Sequence, residues 1–174
     1  MMKITSTHAF FYTEWPSNFC KTKFTWTKFG ETHEFFCTEQ AFMWAKAKFF
    51  SDEESAKQIL DVSSTTQDPM TCKILGRQVK NYDDKKWDAV RYQMFLEPNL
   101  ERFKQDKVLY SKLMDPKFDG KTFVEASPKD KIWGIGMGMN EPIDELDDEN
   151  LWLGKNLLGK VITEVRATLK ANGI

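Results

Sequence analysis

The stretch at residues 38–50 (TEQAFMWAKAKFF) constrains the fold more than any other, because its apolar residues recur with the period of an α-helix. Thr38 is a suitable N-cap, and Glu39 then lies in the first turn, where the helix dipole favours an anion. At about 100° per residue, one face carries Phe42, Met43, Phe49 and Phe50. Glu39 and Lys46 fall in the middle of this apolar face, only about 20° apart, whereas Lys48 falls on the opposite side.

An acid and an amine are therefore directed towards an apolar interior, where an unpaired charge costs several kcal/mol. The residues alone leave two interpretations open. In the first, Glu39 stabilises the start of the helix and Lys46 extends to solvent or to a structural partner. In the second, the two groups have a chemical function, because acids and amines held in apolar surroundings are typical of active sites.

The remaining pattern predicts a helix-rich α+β fold with a small antiparallel β element and several packed helices. Alternating apolar and polar residues predict strands at 22–27 and 33–37, joined as a hairpin at Lys28-Phe29-Gly30. Short apolar runs predict two more strands, at 4–12 and 122–126. Caps and helical spacing predict further helices at about 51–60, 68–77, 85–96, 98–114 and 157–170, with an interruption at Pro98.

Three segments separate these elements. They are a polar loop at 61–68, a glycine-rich loop at 127–140 and an acidic segment at 141–150, expected to be a solvent-exposed insert. No internal repeat and no linker divides the chain. The sequence therefore predicts a single domain over residues 1–174.

Composition and motifs argue against several classes of protein. With 25 Lys and Arg against 26 Asp and Glu, the chain has no global basic field, so any contact with nucleic acid would be local. Three cysteines and two histidines are too few and too widely spaced for a disulfide framework or a metal site. No signal peptide, no membrane-length apolar run and no Walker or G-x-S-x-G motif is present. We expect a soluble, cytoplasmic protein without a metal, a cofactor or a membrane partner.

Three further features contain residues that suit ligand binding. Ser17-Asn18-Phe19 is a turn, and Glu125 ends a predicted strand that leads into the glycine-rich loop, where a carboxylate can meet a ligand. Lys155 to Gly159 begins the last helix, where backbone N–H groups can bind an anion. An ordinary turn, a flexible loop and structural pairing are the alternatives for these features.

Taken in order, these motifs resemble the NADAR superfamily over most of the chain, from about Phe10 to Leu169. The matching segments are Ser17-Asn18-Phe19, Thr38-Glu39-Gln40 with Lys46, Leu75-Gly76-Arg77, Trp87, Glu125 with Asp130 and Trp133-Gly134, and Asn156-x-Leu158-Gly159 with Arg166. Six motifs in register make the resemblance specific, and it implies a single YbiA-like domain. Two features depart from the family: Gln40 replaces its usual histidine, which can carry a proton, and the acidic insert looks specific to this chain.

The resemblance implies hydrolysis of an N-glycosidic bond between ribose C1 and a heterocycle nitrogen. The favoured substrate is ADP-ribose attached to guanine, free or in nucleic acid. The second substrate group is the phosphoribosylamino-pyrimidine intermediates of riboflavin synthesis. The alternative from another class is a non-catalytic ADP-ribose or nucleotide-binding module, which Gln40 keeps open.

The resemblance also implies roles for individual residues. Glu39 is the main acid/base group, Lys46 the nucleophile that forms a Schiff base with ring-opened ribose, and Asp130 the group that orients water or holds ribose hydroxyls. Trp87 and Trp133 are candidate stacking walls. Further substrate-binding candidates are Asn18, Phe19, Arg77, Glu125, Gly134, Asn156 and Arg166, of which Arg77, Asn156 and Arg166 would hold phosphate or ribose oxygens.

Overall fold

The computed structural model describes residues 1–64 and 68–173, so residues 65–67 of the predicted polar loop lie outside the described residues. In chain order the described elements are β1 (Lys3–Ile4), β2 (His8–Phe11), β3 (Phe24–Lys28), β4 (Glu31–Phe35), α1 (Thr38–Phe49), α2 (Glu53–Leu60), α3 (Asp68–Arg77), α4 (Asp84–Gln105), α5 (Lys107–Leu113), β5 (Thr122–Glu125), α6 (Ile143–Asp147) and α7 (Leu157–Ala171). These elements confirm the predicted helix-rich α+β class.

The chain forms two compact units. The central unit is Asn18–Asp106 and contains β3, β4 and helices α1 to α4. The terminal unit combines Met1–Ser17 with Lys107–Ile174 and contains β1, β2, β5 and helices α5 to α7. The single domain expected from the sequence stays a prediction.

Helix α1 is the centre of the central unit, because α2, α3 and α4 all pack against it. Every residue from 38 to 45 is buried, so the helix is enclosed on more sides than the one apolar face predicted. The predicted Thr38 cap is wrong by one residue: the Sγ of Cys37 accepts a hydrogen bond from the backbone N–H of Gln40 at 3.4 Å. Burial raises the pKa of the Cys37 thiol to about 12, so this cap is a neutral thiol.

Strands β3 and β4 form the predicted antiparallel hairpin, in which Trp26 lies opposite His33. The connecting residues Phe29 and Gly30 have positive φ angles of 54° and 75°. Two consecutive residues of this kind match the twist of paired strands, and glycine adopts the conformation without strain. The ring of Trp26 then packs edge-on against Trp44 of α1, with ring centroids 5.9 Å apart.

Helix α4 runs without a break from Asp84 to Gln105, although Pro98 lies inside it. The predicted interruption is therefore wrong. Proline lacks the N–H group that would continue the helical hydrogen bonding. The next residue, Asn99, is fully buried, and its side-chain amide donates to the carbonyl of Phe95 at 2.9 Å. This bond supports the turn that Pro98 weakens, and the helix ends instead at its C-cap, Asp106.

The terminal unit contains a three-stranded sheet with β2 in the middle. Strand β1 pairs with β2 in antiparallel fashion, whereas β5 pairs with β2 in parallel, a pairing the sequence did not predict. Helix α7 packs against β5. Phe10 and Val124 from the paired strands are buried with Ile135 and Leu146, so the core of this unit lies along the β2–β5 pair.

Asp147 joins the acidic segment at 141–150 to the region of the first two strands. Its carboxylate accepts a hydrogen bond from the hydroxyl of Thr5 at 2.6 Å and lies 2.8 Å from Nδ1 of His8. Leu146 is buried, Asp147 is half-buried, and the other residues of the segment are exposed, as expected for a surface insert. Among the described helices, none has both the length and the apolar character needed to cross a membrane.

Candidate functional site

The turn at Asn18 is bound to the first turn of α1, where it orients Glu39. The carbonyl of Asn18 accepts hydrogen bonds from the backbone N–H of Glu39 at 3.1 Å and from the hydroxyl of Thr38 at 3.3 Å. The side-chain amide of Asn18 donates to Oε2 of Glu39. Because only 5% of Glu39 is exposed, this amide holds a buried carboxylate in one orientation. The structure thus brings together two residues that the sequence placed in separate motifs.

The backbone of Lys46 lies two turns further along α1, about 10 Å from the backbone of Glu39 when measured along the helix axis. It is half-buried, and its Nζ donates to the carbonyl of Gly76 at 2.8 Å. The same Nζ lies 4.6 Å from the centroid of the Tyr82 ring. The amine is therefore held between the end of α3 and an aromatic ring.

The surroundings lower the pKa of Lys46 below its ordinary value. Burial is the main cause, and the positive charges of Arg91 and Arg77 act in the same direction, whereas the negative charge of Glu39 opposes them. A lowered pKa raises the fraction of the lysine that is a neutral amine near neutral pH. The neutral amine is the form that can attack a carbon atom. The direction of the shift is therefore the one that favours a nucleophilic lysine.

Gln40, which replaces the family histidine, lies between Glu39 and Lys46 in sequence but binds backbone groups. Its Oε1 accepts from the N–H of Phe36 at 3.0 Å, and its Nε2 donates to the carbonyls of Ile59 and Val62 at 3.0 and 3.4 Å. Only 2% of the residue is exposed. Gln40 thus ties the hairpin to the end of α2. It also lines a surface groove of about 590 Å³, whose described lining includes neither Glu39 nor Lys46.

Three further predicted residues lie in the central unit, in different settings. Arg77 is exposed at the end of α3, and Phe19 is half-buried with the Nζ of Lys73 5.9 Å from its ring centroid. Trp87 is only 4% exposed and packs against the rings of Phe42, Phe49 and Phe50. Because core side chains surround the indole of Trp87, we assign it to the core and not to a substrate wall.

Sequence reasoning missed two residues near Lys46, namely Tyr82 and Arg91. Arg91 is 7% exposed, and its Nη2 lies 3.0 Å from Oδ1 of Asp88 and 3.6 Å from Oδ1 of Asp84. Its spacing of four residues from Trp87 puts a cation on the buried side of α4. That is the signal by which Glu39 and Lys46 were found. Tyr82 gave a weaker signal, an aromatic residue in the polar turn before α4.

In the terminal unit, Asp130 stabilises a turn near the start of the glycine-rich loop by hydrogen bonds. Its Oδ1 accepts the backbone N–H groups of Ile132 and Trp133 at 2.9 and 2.8 Å. The backbone carbonyl of Asp130 accepts the N–H of Gly136 at 3.1 Å. The observed geometry is thus that of a turn cap, and the catalytic role stays a prediction.

Asn156 joins the start of α7 to strand β5. Its side chain is fully buried, with Oδ1 accepting from the N–H of Glu125 and Nδ2 donating to the carbonyl of Phe123, both at 3.0 Å. Its own N–H donates to the carbonyl of Gly134 at 3.1 Å, and the N–H of Leu158 donates to the carbonyl of Trp133 at 3.1 Å. Both amide atoms of Asn156 are therefore used within the unit, which differs from the predicted role of holding a ligand.

Arg166 also makes internal contacts. Only 8% of it is exposed, its Nε donates to the carbonyl of Leu113 at 2.8 Å, and its Nη2 donates to Oδ1 of Asp119 at 2.6 Å. These bonds hold α7 to the segment that follows α5. A structural carboxylate, that of Asp119, is thus the observed partner of Arg166, and its role in holding phosphate or ribose oxygens stays a prediction.

The sequence from residue 5 to 170 matches the family model of the NADAR domain. The chain is 38% identical over 140 residues to N-glycosidase R617 of Acanthamoeba polyphaga mimivirus, a match that covers 79% of this chain and 76% of that protein. It is 36% identical over 132 residues to Protein irg-1 of Caenorhabditis elegans, of which it spans 58%. The fold is similar to the NMR structure of the E. coli protein YbiA, with a TM-score of 0.70, 25% identity and coverage of 98% and 89% of the two chains. The predicted YbiA-like fold is confirmed.

Proposed function

Because the chain belongs to the NADAR domain family, we propose that it hydrolyses the bond between ribose C1 and a heterocycle nitrogen, and that its substrate is ADP-ribose attached to guanine. One observation carries the proposal. Helix α1 holds a buried carboxylate, oriented by Asn18, and a half-buried amine of lowered pKa, two turns apart on one helix. The name of the mimivirus relative, an N-glycosidase, supports the type of bond.

Lys46 acts as the nucleophile in this proposal. Ring opening of the ribose converts the glycosylamine into an imine between C1 and the guanine nitrogen. The neutral amine of Lys46 adds to C1, and a proton moves from Nζ to the guanine nitrogen. The fixed position of Nζ, bonded to the carbonyl of Gly76, favours such an attack because little freedom remains to be lost.

Glu39 supplies and then recovers the second proton. In its protonated form, the Glu39 carboxyl group protonates the guanine nitrogen as the C1–N bond breaks, which releases guanine and leaves the Glu39 carboxylate and a protonated Schiff base between Lys46 and C1. Water adds to C1 while the Glu39 carboxylate accepts its proton. The carbinolamine then collapses to the aldehyde of ADP-ribose and free Lys46. A positioned acid/base group of this kind contributes about 10²- to 10⁴-fold to the rate.

The setting of Gln40 favours catalysis over the binding-module hypothesis. That hypothesis depended on the loss of a titratable histidine at this position. In the structure, the Gln40 amide binds three backbone groups of the central unit, and the proposal assigns the acid/base role to Glu39 on the same helix. The proposed reaction needs no further proton carrier at position 40.

A paired turnover assay tests the proposal. We expect release of ADP-ribose from an ADP-ribosylated guanine oligonucleotide and little release of ribose phosphate from a phosphoribosylamino-pyrimidine. Glu39→Gln should lower turnover about 10²- to 10⁴-fold, and Lys46→Ala should nearly abolish it. Lys48→Ala is the matched control, because Lys48 lies on the same helix but pairs with Glu31 and Glu53 at 2.5 and 2.8 Å.

Borohydride reduction during turnover tests the covalent step. An adduct of ADP-ribose mass on the peptide that contains Lys46 is expected in the unsubstituted protein and in Lys48→Ala. Turnover without such an adduct would assign the lysine a purely electrostatic role. Full activity of Lys46→Ala would refute its role as a nucleophile. Turnover of the pyrimidine alone would move the assignment to the second substrate group, and no turnover of either would favour a binding module.

A further inference from the structure

Tyr82 covers the amine of Lys46. The ring centroid lies 4.6 Å from Nζ, and the ring also packs edge-on against Phe50, at a centroid distance of 5.4 Å. The phenol hydroxyl donates to Oδ1 of Asp84 at 2.7 Å. The other side of the tyrosine is open to solvent, because 44% of the residue is exposed. Tyr82 therefore lies between the Lys46 amine and water.

The segment that carries Tyr82 is anchored on both sides. Before it, the N–H of Lys80 donates to Oδ2 of Asp52 at 2.8 Å, and Asn81 adopts a left-handed conformation with φ of 63°. After it, Asp83 caps helix α4 by accepting the backbone N–H groups of Lys85 and Lys86. A left-handed residue between two fixed points directs the chain locally, so the backbone carries the Tyr82 side chain to Lys46, and the contacts of the ring with Phe50 and of the hydroxyl with Asp84 hold it there.

The bond partner of Tyr82 is held in turn by Arg91. Oδ1 of Asp84 accepts the tyrosine hydroxyl and lies 3.6 Å from Nη2 of Arg91, which also pairs with Asp88 at 3.0 Å. Contacts thus run from Lys46 through the Tyr82 ring and Asp84 to a buried arginine on α4. Every member belongs to the central unit.

We propose that Tyr82 is a positioning residue for Lys46: its ring covers the amine and limits the access of water, and its hydrogen bond to Asp84 keeps the ring in place. The proposal rests on the proposed function only in that Lys46 is the nucleophile whose protonation Tyr82 controls. It assigns a role to a residue that belongs to none of the recognised motifs.

Two effects of the ring oppose each other. The π face of a tyrosine attracts an ammonium group, which favours the charged form. The bulk of the ring removes water from the amine, which favours the neutral form. Burial is the largest cause of the lowered Lys46 pKa, and the Tyr82 ring lies against the amine, so we expect the second effect to be the larger one. The other charged groups that act on Lys46 are Glu39 of α1, which raises its pKa, and Arg77 of α3 and Arg91 of α4, which lower it.

Removal of the ring should therefore raise the pKa of Lys46. At a pH well below that pKa, each unit of increase reduces the neutral fraction of the amine to about one tenth of its former value. Tyr82→Ala is then expected to lower turnover about tenfold near neutral pH and to recover it as the pH approaches 10. Structural damage to the site would lower turnover at every pH, so this recovery separates a positioning role from a structural one.

The test measures the Lys46 amine itself, without substrate. Lysines are reductively methylated with ¹³C-formaldehyde, the Lys46 signal is identified by its absence in Lys46→Arg, and its pKa is followed by NMR. We expect a rise of about one unit in Tyr82→Ala, a smaller rise in Tyr82→Phe, which keeps the ring but loses the bond to Asp84, and none in Tyr12→Ala, an exposed control in the terminal unit.

Two results would overturn the proposal. One is an unchanged Lys46 pKa in Tyr82→Ala, and the other is an equal rise in Tyr82→Phe and Tyr82→Ala, which would assign the effect to the hydroxyl and not to the ring. Because no substrate is used, the outcome is independent of turnover. If no glycoside is hydrolysed but Tyr82→Ala raises the Lys46 pKa, the positioning role stands and the proposed reaction does not.

Discussion

Replacement of Asn156 by alanine tests whether this residue holds the fold or a ligand. The side-chain Oδ1 accepts a hydrogen bond from the N–H of Glu125, and Nδ2 donates one to the carbonyl of Phe123. Both bonds are buried and 3.0 Å long. A buried polar group that loses its partner costs about 1–3 kcal/mol. The backbone of Asn156 is left-handed, with φ of 53° and ψ of 41°, a conformation that costs alanine about 1 kcal/mol more than asparagine. We therefore expect Asn156→Ala to lower the free energy of unfolding by about 3–7 kcal/mol.

Urea denaturation gives the measurement, from the midpoint and the slope of the transition. The expected loss is a large part of the total stability of a domain, about 5–15 kcal/mol. Asn156→Gly removes the same two hydrogen bonds but adopts the left-handed backbone without strain, so it should be about 1 kcal/mol more stable than Asn156→Ala. Asn140→Ala, at an exposed position of the glycine-rich loop, is the control and should change stability by less than about 0.5 kcal/mol.

The reasoning is refuted if Asn156→Ala unfolds at the same urea concentration as Asn140→Ala. If turnover is also lost at unchanged stability, Asn156 contacts the substrate, as the family resemblance implied. If stability falls as expected and the folded fraction retains its turnover, the residue serves the β5–α7 contact alone.

Two other predictions concern single hydrogen-bonded groups. Gln40→His restores the family residue, but a neutral imidazole offers one donor and one acceptor where Gln40 binds three backbone groups. We expect thermal melts to show that the free energy of unfolding falls by about 1–3 kcal/mol, while the folded fraction keeps its turnover. A gain in stability would contradict this prediction. The hydrogen bond from Thr5, followed by that from His8, holds the pKa of Asp147 below its ordinary value. The stability that the ionised Asp147 contributes is present above about pH 4 and is lost as the pH falls through the lower pKa of the folded state. The urea midpoints measured from pH 6 to 2 should therefore fall less steeply in Asp147→Asn than in the unsubstituted protein.

Local sequence patterns predicted the parts of the fold that depend on neighbours in the chain. The period of residues 38–50 located α1, and alternation located the β3–β4 hairpin together with its turn at Phe29 and Gly30. The pairing of β2 with β5 could not be predicted in this way, because the partners are more than 100 residues apart and both strands are short. The continuity of α4 through Pro98 depends on the amide of Asn99, a contact that helix propensity does not express.

For the candidate site too, local sequence patterns predicted some of the residues and missed others. A charge on an apolar helical face identified Glu39 and Lys46, and the same criterion applied to α4 would have found Arg91. The family motifs added further candidate residues, and the residues within one motif can serve different purposes. Asn156 and Arg166 satisfy backbone carbonyls and a carboxylate within the terminal unit, which a motif does not distinguish from binding a ligand. Tyr82 belongs to no motif and gave only a weak signal as an aromatic residue in a polar turn, whereas its distance from Lys46 reveals it directly.

The enclosure of helix α1 has a consequence for the motions of the site. Hydrogen exchange divides a protein into cooperative units that open at different free energies, and buried central helices belong to those that open last. Glu39 and Lys46 are carried by such a helix, whereas Asn18 and Tyr82, which contact them, lie in connecting segments outside the helices. We therefore expect the two proposed reacting groups to keep their spacing through local opening events that release the turn at Asn18 or the segment at Tyr82. Access to Glu39 and Lys46 and their mutual alignment would then be governed by different parts of the chain.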